Sequence, residues 1–161
     1  IVDSEKAIKL FKDDKENSEH MMLVDLARND LSRSCTNVKV DKDREIQFYS
    51  HVIHLVSKVS GELKSNSRDI IGSTFPAGTL SGAPKHMAMK LIEKYEEHNR
   101  SFYGGAIGFI GFDNDFNHAI VIRSFLSKNQ KLFLQAGAGV VSKSDPNNEL
   151  LDIYYKIGAL L

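Results

Sequence analysis

Glu16-Asn17-Ser18-Glu19 and Glu149-Leu150-Leu151-Asp152 each set two carboxylates three residues apart, the spacing that puts side chains on one helix face. Brought together, two such faces would make a cluster of hard oxygen ligands suited to Mg²⁺, which binds carboxylates and keeps several waters. The alternative is four solvated surface acids.

Other residues between them could complete a site. Phe75-Pro76-Ala77-Gly78-Thr79-Leu80-Ser81-Gly82-Ala83-Pro84-Lys85 is a Gly- and Pro-punctuated loop running into a helix. It is a plain connection, or an anion site in which small residues admit close approach and helix N–H groups face the charge. Arg123, amid Ile120-Val121-Ile122 and Phe125-Leu126, either snorkels outward or pairs with an anion. Tyr103-Gly104-Gly105 is a turn with an aromatic stub, or a hydroxyl aimed at a ligand. His54 lies in the most apolar strand, as a core residue or as a general acid or base. His20, beside Glu19, is a second titrating group. Lys156 shares a face with Asp152, for a surface ion pair or a substrate carboxylate. Jointly these describe a pocket for a substrate with two carboxylates. No Walker loop, zinc spacing or Ser-His-Asp context is present.

The elements that must position these groups follow from periodicity. Apolar residues at Met22, Leu23, Leu26, Ala27 and Leu31 predict a helix over 14–34. Segments 37–41 and 45–63 are rich in Val and Ile, and the run His51–Val56 reads as a strand covered on both faces. Gly61 marks a bend or bulge. A short helix is expected over 65–73 and a longer one over 84–98, with Pro84 at its first position. Strands are expected at 106–112, 118–126, 131–135 and from Gly137 to Val141. Asp145-Pro146 then starts a final helix to about Leu161. The order predicts an α+β fold, antiparallel sheets with flanking helices.

Composition narrows the class. The 161 residues suit one domain, and 21 basic against 21 acidic residues leave no net charge to steer nucleic acid or an anionic membrane. Cys35 is the only cysteine, so a reducing, cytoplasmic setting is expected. No apolar run is long enough to span a bilayer. The chain opens on Ile1, and a piece of a longer protein is expected.

Four strings carry a family resemblance: Lys15–Asp30, the loop Phe75–Lys85, Tyr103-Gly104-Gly105-Ala106-Ile107-Gly108, and Gln135-Ala136-Gly137-Ala138-Gly139-Val140-Val141. In this order they resemble the chorismate-utilising enzymes, and within them the anthranilate-forming branch. The aminodeoxychorismate-forming branch of folate synthesis is the alternative, less favoured by the Ala77–Gly82 loop. The resemblance implies that residues 1–161 are the C-terminal part of the chorismate-binding fold, a partial catalytic domain inactive on its own. It also implies Mg²⁺, chorismate, and a glutamine amidotransferase subunit or domain supplying ammonia. By position, Glu19 and Glu149 match the metal carboxylates, with Glu16 and Asp152 as neighbouring acids. Asp152 stands where the family usually shows Glu. Thr79, Gly137, Ala138, Gly139 and Lys156 match the surroundings of the ring carboxylate. Tyr103 and Arg123 match the residues holding the enolpyruvyl carboxylate, and His54 matches the active-site histidine.

Overall fold

The computed structural model describes residues 11, 14–49, 53–64, 66–113, 115–142, 144–158 and 160. They belong to two compact units, Ile1–Gly78 and Thr79–Leu161.

In the first unit, helix α1 (Asp14–Ser34) leads into a long antiparallel hairpin, β1 (Cys35–Phe48) and β2 (Ile53–Leu63), followed by helix α2 (Ser67–Thr74). Among the described side chains of α1 the buried ones are Val24, Asp30 and Ser34, the last two one turn apart. The core sits where the C-terminal end of α1 meets Cys35 and Ser67, both also buried. Polar groups there are satisfied. Ser34 Oγ donates to Asp69 O at 3.3 Å and lies 3.1 Å from Ser73 Oγ, and Lys64 N–H donates to Ser34 O at 2.9 Å.

Gly61 sits at a bulge, as expected. Asn37 and Val38 oppose it between the paired residues Thr36↔Glu62 and Lys39↔Ser60. Asn37 takes the left-handed conformation that such a bulge uses. A Cβ on Gly61 would lie 2.9 Å from Cys35 Cβ. In β2, residues 53–57 are half-buried throughout; His51 and Val52 lie outside the described residues.

The loop expected at 75–85 contains a short helix, α3 (Gly78–Ser81). Gly78 packs onto α1, where a Cβ would come 2.8 Å from Leu26 Cδ1. That close approach is what a glycine permits.

The second unit carries α4 (Lys85–Tyr95), hairpin β3 (Ala106–Ile110) and β4 (Phe116–Ile120), hairpin β5 (Leu126–Lys128) and β6 (Lys131–Phe133), and α5 (Pro146–Gly158). Pro84 is the residue flanking α4, not its first member. Asn129 and Gln130 both have φ near +55° (53° and 58°), the signature of a tight I′-type hairpin turn. Asp145 caps α5 by accepting from Asn148 N–H at 3.0 Å.

Two strand expectations also fail here. The strand expected over 118–126 ends at Ile120, because the chain bends and Arg123 adopts φ 49°. Residues 137–141 form no strand. All described strand pairs are antiparallel, so the α+β class holds. No described residue of this unit is fully buried, and β3 exposes Ile107, Phe109 and Ile110. Among the described residues no helix is long and apolar enough to cross a membrane.

Candidate active site

The predicted site residues fall into two sets, one in each unit. In the first unit, α1 presents Glu16 outward and Glu19 inward: Glu16 is exposed, whereas Glu19 is half-buried with its Oε1 fully enclosed. One helical turn therefore separates a solvated acid from a sheltered one. His20, the next residue, reaches β2, its Nε2 lying 2.7 Å from Ser57 Oγ. Ser57 also accepts from Arg44 N–H at 2.9 Å, across the bulge formed by Asp43 and Arg44. Burial pushes the His20 pKa below the ordinary imidazole value; the nearby Asp43 charge opposes this and Arg44 adds to it. His54 is half-buried on β2 opposite Gln47, and its ring meets Tyr49 edge-on at 5.7 Å.

In the second unit Gly137 is the meeting point. Lys156, on α5, donates to its carbonyl at 3.0 Å. Tyr103 Oη lies 3.4 Å from where a Gly137 Cβ would stand. A phenol hydroxyl and an ammonium thus converge on one glycine. Lys156 also pairs with Asp152 Oδ2 at 2.6 Å. Glu149, in the first turn of α5, lines a cleft of about 390 Å³ with Ala138, Val140, Ser144 and Ile153. Gly139 is exposed beside it, with open space where a Cβ would be.

Tyr103 belongs to a turn tied to the end of β4. Gly104 N–H donates to Val121 O and Val121 N–H to Gly105 O, both at 2.8 Å. Arg123 lies two residues further along the segment that faces this turn, with its side chain exposed. Thr79 is exposed on α3, one residue before Leu80. The structure thus groups Tyr103, Gly137, Lys156 and Asp152 directly, and places Glu149 and Ala138 on one cleft.

Arg100 is the residue that motif reading missed. Its guanidinium holds Glu96 through two bonds and donates to Leu80 O. A Glu–Arg pair four residues apart is visible in the sequence; the reach to Leu80 is not.

Glu16, Glu19, Glu149 and Asp152 carry hard carboxylate oxygens of the kind Mg²⁺ takes. Among the described residues no three His, Cys, Asp or Glu side chains gather at one point. The donor chemistry fits the ion, with Asp152 already engaged by Lys156.

Residues 2–161 match the family of chorismate binding enzymes. The chain is 50% identical over 156 residues to anthranilate synthase component 1 of Neisseria gonorrhoeae, covering 94% of this chain and 32% of that protein. It is 46% identical to anthranilate synthase component 1 of Saccharolobus solfataricus, covering 95% and 37%. The crystal structure of anthranilate synthase component I from Streptococcus pneumoniae matches with a TM-score of 0.90 and 41% identity, over 98% of this chain and 37% of that one. A 2,3-dihydroxybenzoate-specific isochorismate synthase structure from Bacillus anthracis, itself of putative function, matches at 0.89 and 28%, over 99% and 43%. The chain spans about a third of the length of the curated relatives it matches.

Proposed function

The chain belongs to the chorismate binding enzymes, and on that footing we propose that it supplies part of the active site of an anthranilate synthase component I. The protein carrying it converts chorismate and ammonia to anthranilate, pyruvate and water, with ammonia delivered by a glutamine amidotransferase partner. Identity of 41–50% to anthranilate synthases, against 28% to the isochorismate synthase, supports addition of ammonia rather than water. The observation that carries the site assignment is the convergence of Tyr103 and Lys156 on Gly137.

In this reading the ring carboxylate lies against the 137–139 loop, where backbone amides and small residues admit it closely. Lys156 fixes the loop through the Gly137 carbonyl and adds positive charge nearby. Tyr103 and Arg123 hold the enolpyruvyl carboxylate, the guanidinium fork matching its two oxygens. Thr79 contributes a hydroxyl from α3. His54 donates a proton to the departing ring hydroxyl, which leaves as water as nitrogen bonds to the ring. Loss of a ring proton with elimination of the side chain as pyruvate then aromatises the product. By the family resemblance, Glu19 on α1 and Glu149 on α5 would each offer a carboxylate to Mg²⁺, with Glu16 and Asp152 as the neighbouring acid on the same helix in each case. When bound, the ion neutralises substrate carboxylate charge as a Lewis acid.

Incubating the complete gene product with chorismate, Mg²⁺ and ¹⁵N-ammonium tests this. Mass spectrometry should find the label in anthranilate. Label held in aminodeoxychorismate would place the protein in the folate branch, and an unlabelled hydroxylated product would make it an isochorismate synthase.

A further inference from the structure

We propose that Arg100 is a positioning residue of this site, locking the Thr79 turn and the Tyr103 turn into one frame that grips the substrate; this rests on the chorismate reading above. Its side chain is only 27% exposed, and its donors are divided between two elements. Nε and Nη2 take the two oxygens of Glu96 at 2.8 and 2.5 Å, just past the end of α4. Nη1 crosses to the carbonyl of Leu80 at 2.5 Å, immediately after Thr79. The guanidinium carbon stands 5.8 Å from the centre of the Tyr103 ring, within cation–π range. The backbone adds a fourth tie, Tyr103 N–H donating to Arg100 O at 2.8 Å.

Leu80 also closes the arrangement from the other side. Its Cδ1 lies 3.1 Å from where a Cβ on Gly104 would stand, and Gly104 has φ 76°. The left-handed backbone at the residue after Tyr103 favours glycine, and any side chain there would also press on Leu80. A surface Glu–Arg pair needs none of these further contacts. A planar fork holds a carboxylate in a fixed bidentate geometry while aiming a third donor at a carbonyl. A lysine keeps the charge and loses the fork.

The decisive variants are Arg100→Lys and Glu96→Gln in the complete gene product, assayed for chorismate consumption at saturating ammonium and Mg²⁺. With Arg100→Lys the KM for chorismate should rise roughly tenfold, about the worth of one charge-assisted hydrogen bond. The KM for ammonium and the thermal midpoint should hardly move. Glu96→Gln, which loosens the fork and spares the Leu80 bond, should raise the chorismate KM about threefold. It also decides the matter if Arg100→Lys does not fold. A merely structural role would lower the active fraction and leave KM unchanged, and that result overturns the proposal while leaving the enzyme assignment standing. A wild-type protein that consumes no chorismate overturns both.

Discussion

The Lys156 ammonium donates to the carbonyl of Gly137 at 3.0 Å and so ties helix α5 to the small-residue loop nineteen positions upstream. The same ammonium holds Asp152 at 2.6 Å. Lys156 is partly exposed, so its ion pair contributes at most about 1 kcal/mol to stability. Its effect on the loop is the larger one. Lys156→Met is expected to raise the chorismate KM roughly tenfold while shifting the thermal midpoint by only a few degrees. Parallel kinetics and thermal melts check both halves.

The grip of Lys156 on Asp152 also separates the two acids of α5. Glu149 lines the cleft beside Ala138, and Asp152 pairs with Lys156. Glu149→Gln should raise the Mg²⁺ concentration for half-maximal activity by about tenfold or more, the scale of a lost charged ligand. Asp152→Asn should change it by less than about threefold. Titrating Mg²⁺ into chelator-treated protein distinguishes them.

The helices were legible because their signals are local. Met22, Leu23, Leu26, Ala27 and Leu31 repeat at helical spacing, and Asp145 caps as its type and position before Pro146 suggest. Gly61 announced its bulge, since a Cβ there meets Cys35 and Val38. The segment through Arg123 resembles a strand in sequence because Ile, Val and Phe on either side mimic a continuous run. The left-handed turn at Arg123 depends on the backbone around it, which residue types do not encode. Residues 137–141 look like a strand by composition, but strand formation needs a partner edge. Each i,i+3 pair of acids does lie on one helix, α1 or α5, but on α1 the two acids differ in exposure. Their unequal burial, with Glu19 sheltered and Glu16 exposed, depends on what packs against α1. Arg100 escaped notice for the same reason: its key acceptor is a backbone carbonyl twenty residues away.

Hairpin β3–β4 depends on a glycine. A Cβ on Gly108 would overlap the carbonyl oxygen of Asn117 and stand 2.6 Å from His118 Cα. Both obstacles are strand backbone or its neighbours, which cannot swing aside. Gly108→Ala is expected to destabilise by about 1–3 kcal/mol. Gly72→Ala is the matched control: nothing lies within 4 Å of a Cβ there, and α2 should gain about 0.5–1 kcal/mol. Chemical denaturation of the two variants checks the contrast.

His20 gives the first unit a pH dependence. Burial holds its pKa below the ordinary imidazole value, so the folded chain binds this proton less readily than the unfolded one. Its contribution to stability is full above the unfolded pKa, near 6.5, and is lost as pH falls through the lowered value. In metal-free protein, the His20 ring resonances should titrate below pH 6.5. Replacing His20 by Asn should flatten the acid side of the stability profile. A midpoint at or above the ordinary value would contradict the burial argument.

The most direct test is one assay of the complete gene product: fluorescence of anthranilate and enzymatic pyruvate determination, followed together after chorismate is added with ammonium and Mg²⁺. The two products should appear in equal amounts, with His54→Ala slowing both by about 10²- to 10⁴-fold without loss of fold. Chorismate left untouched, or consumed with neither product formed, would contradict the proposed function.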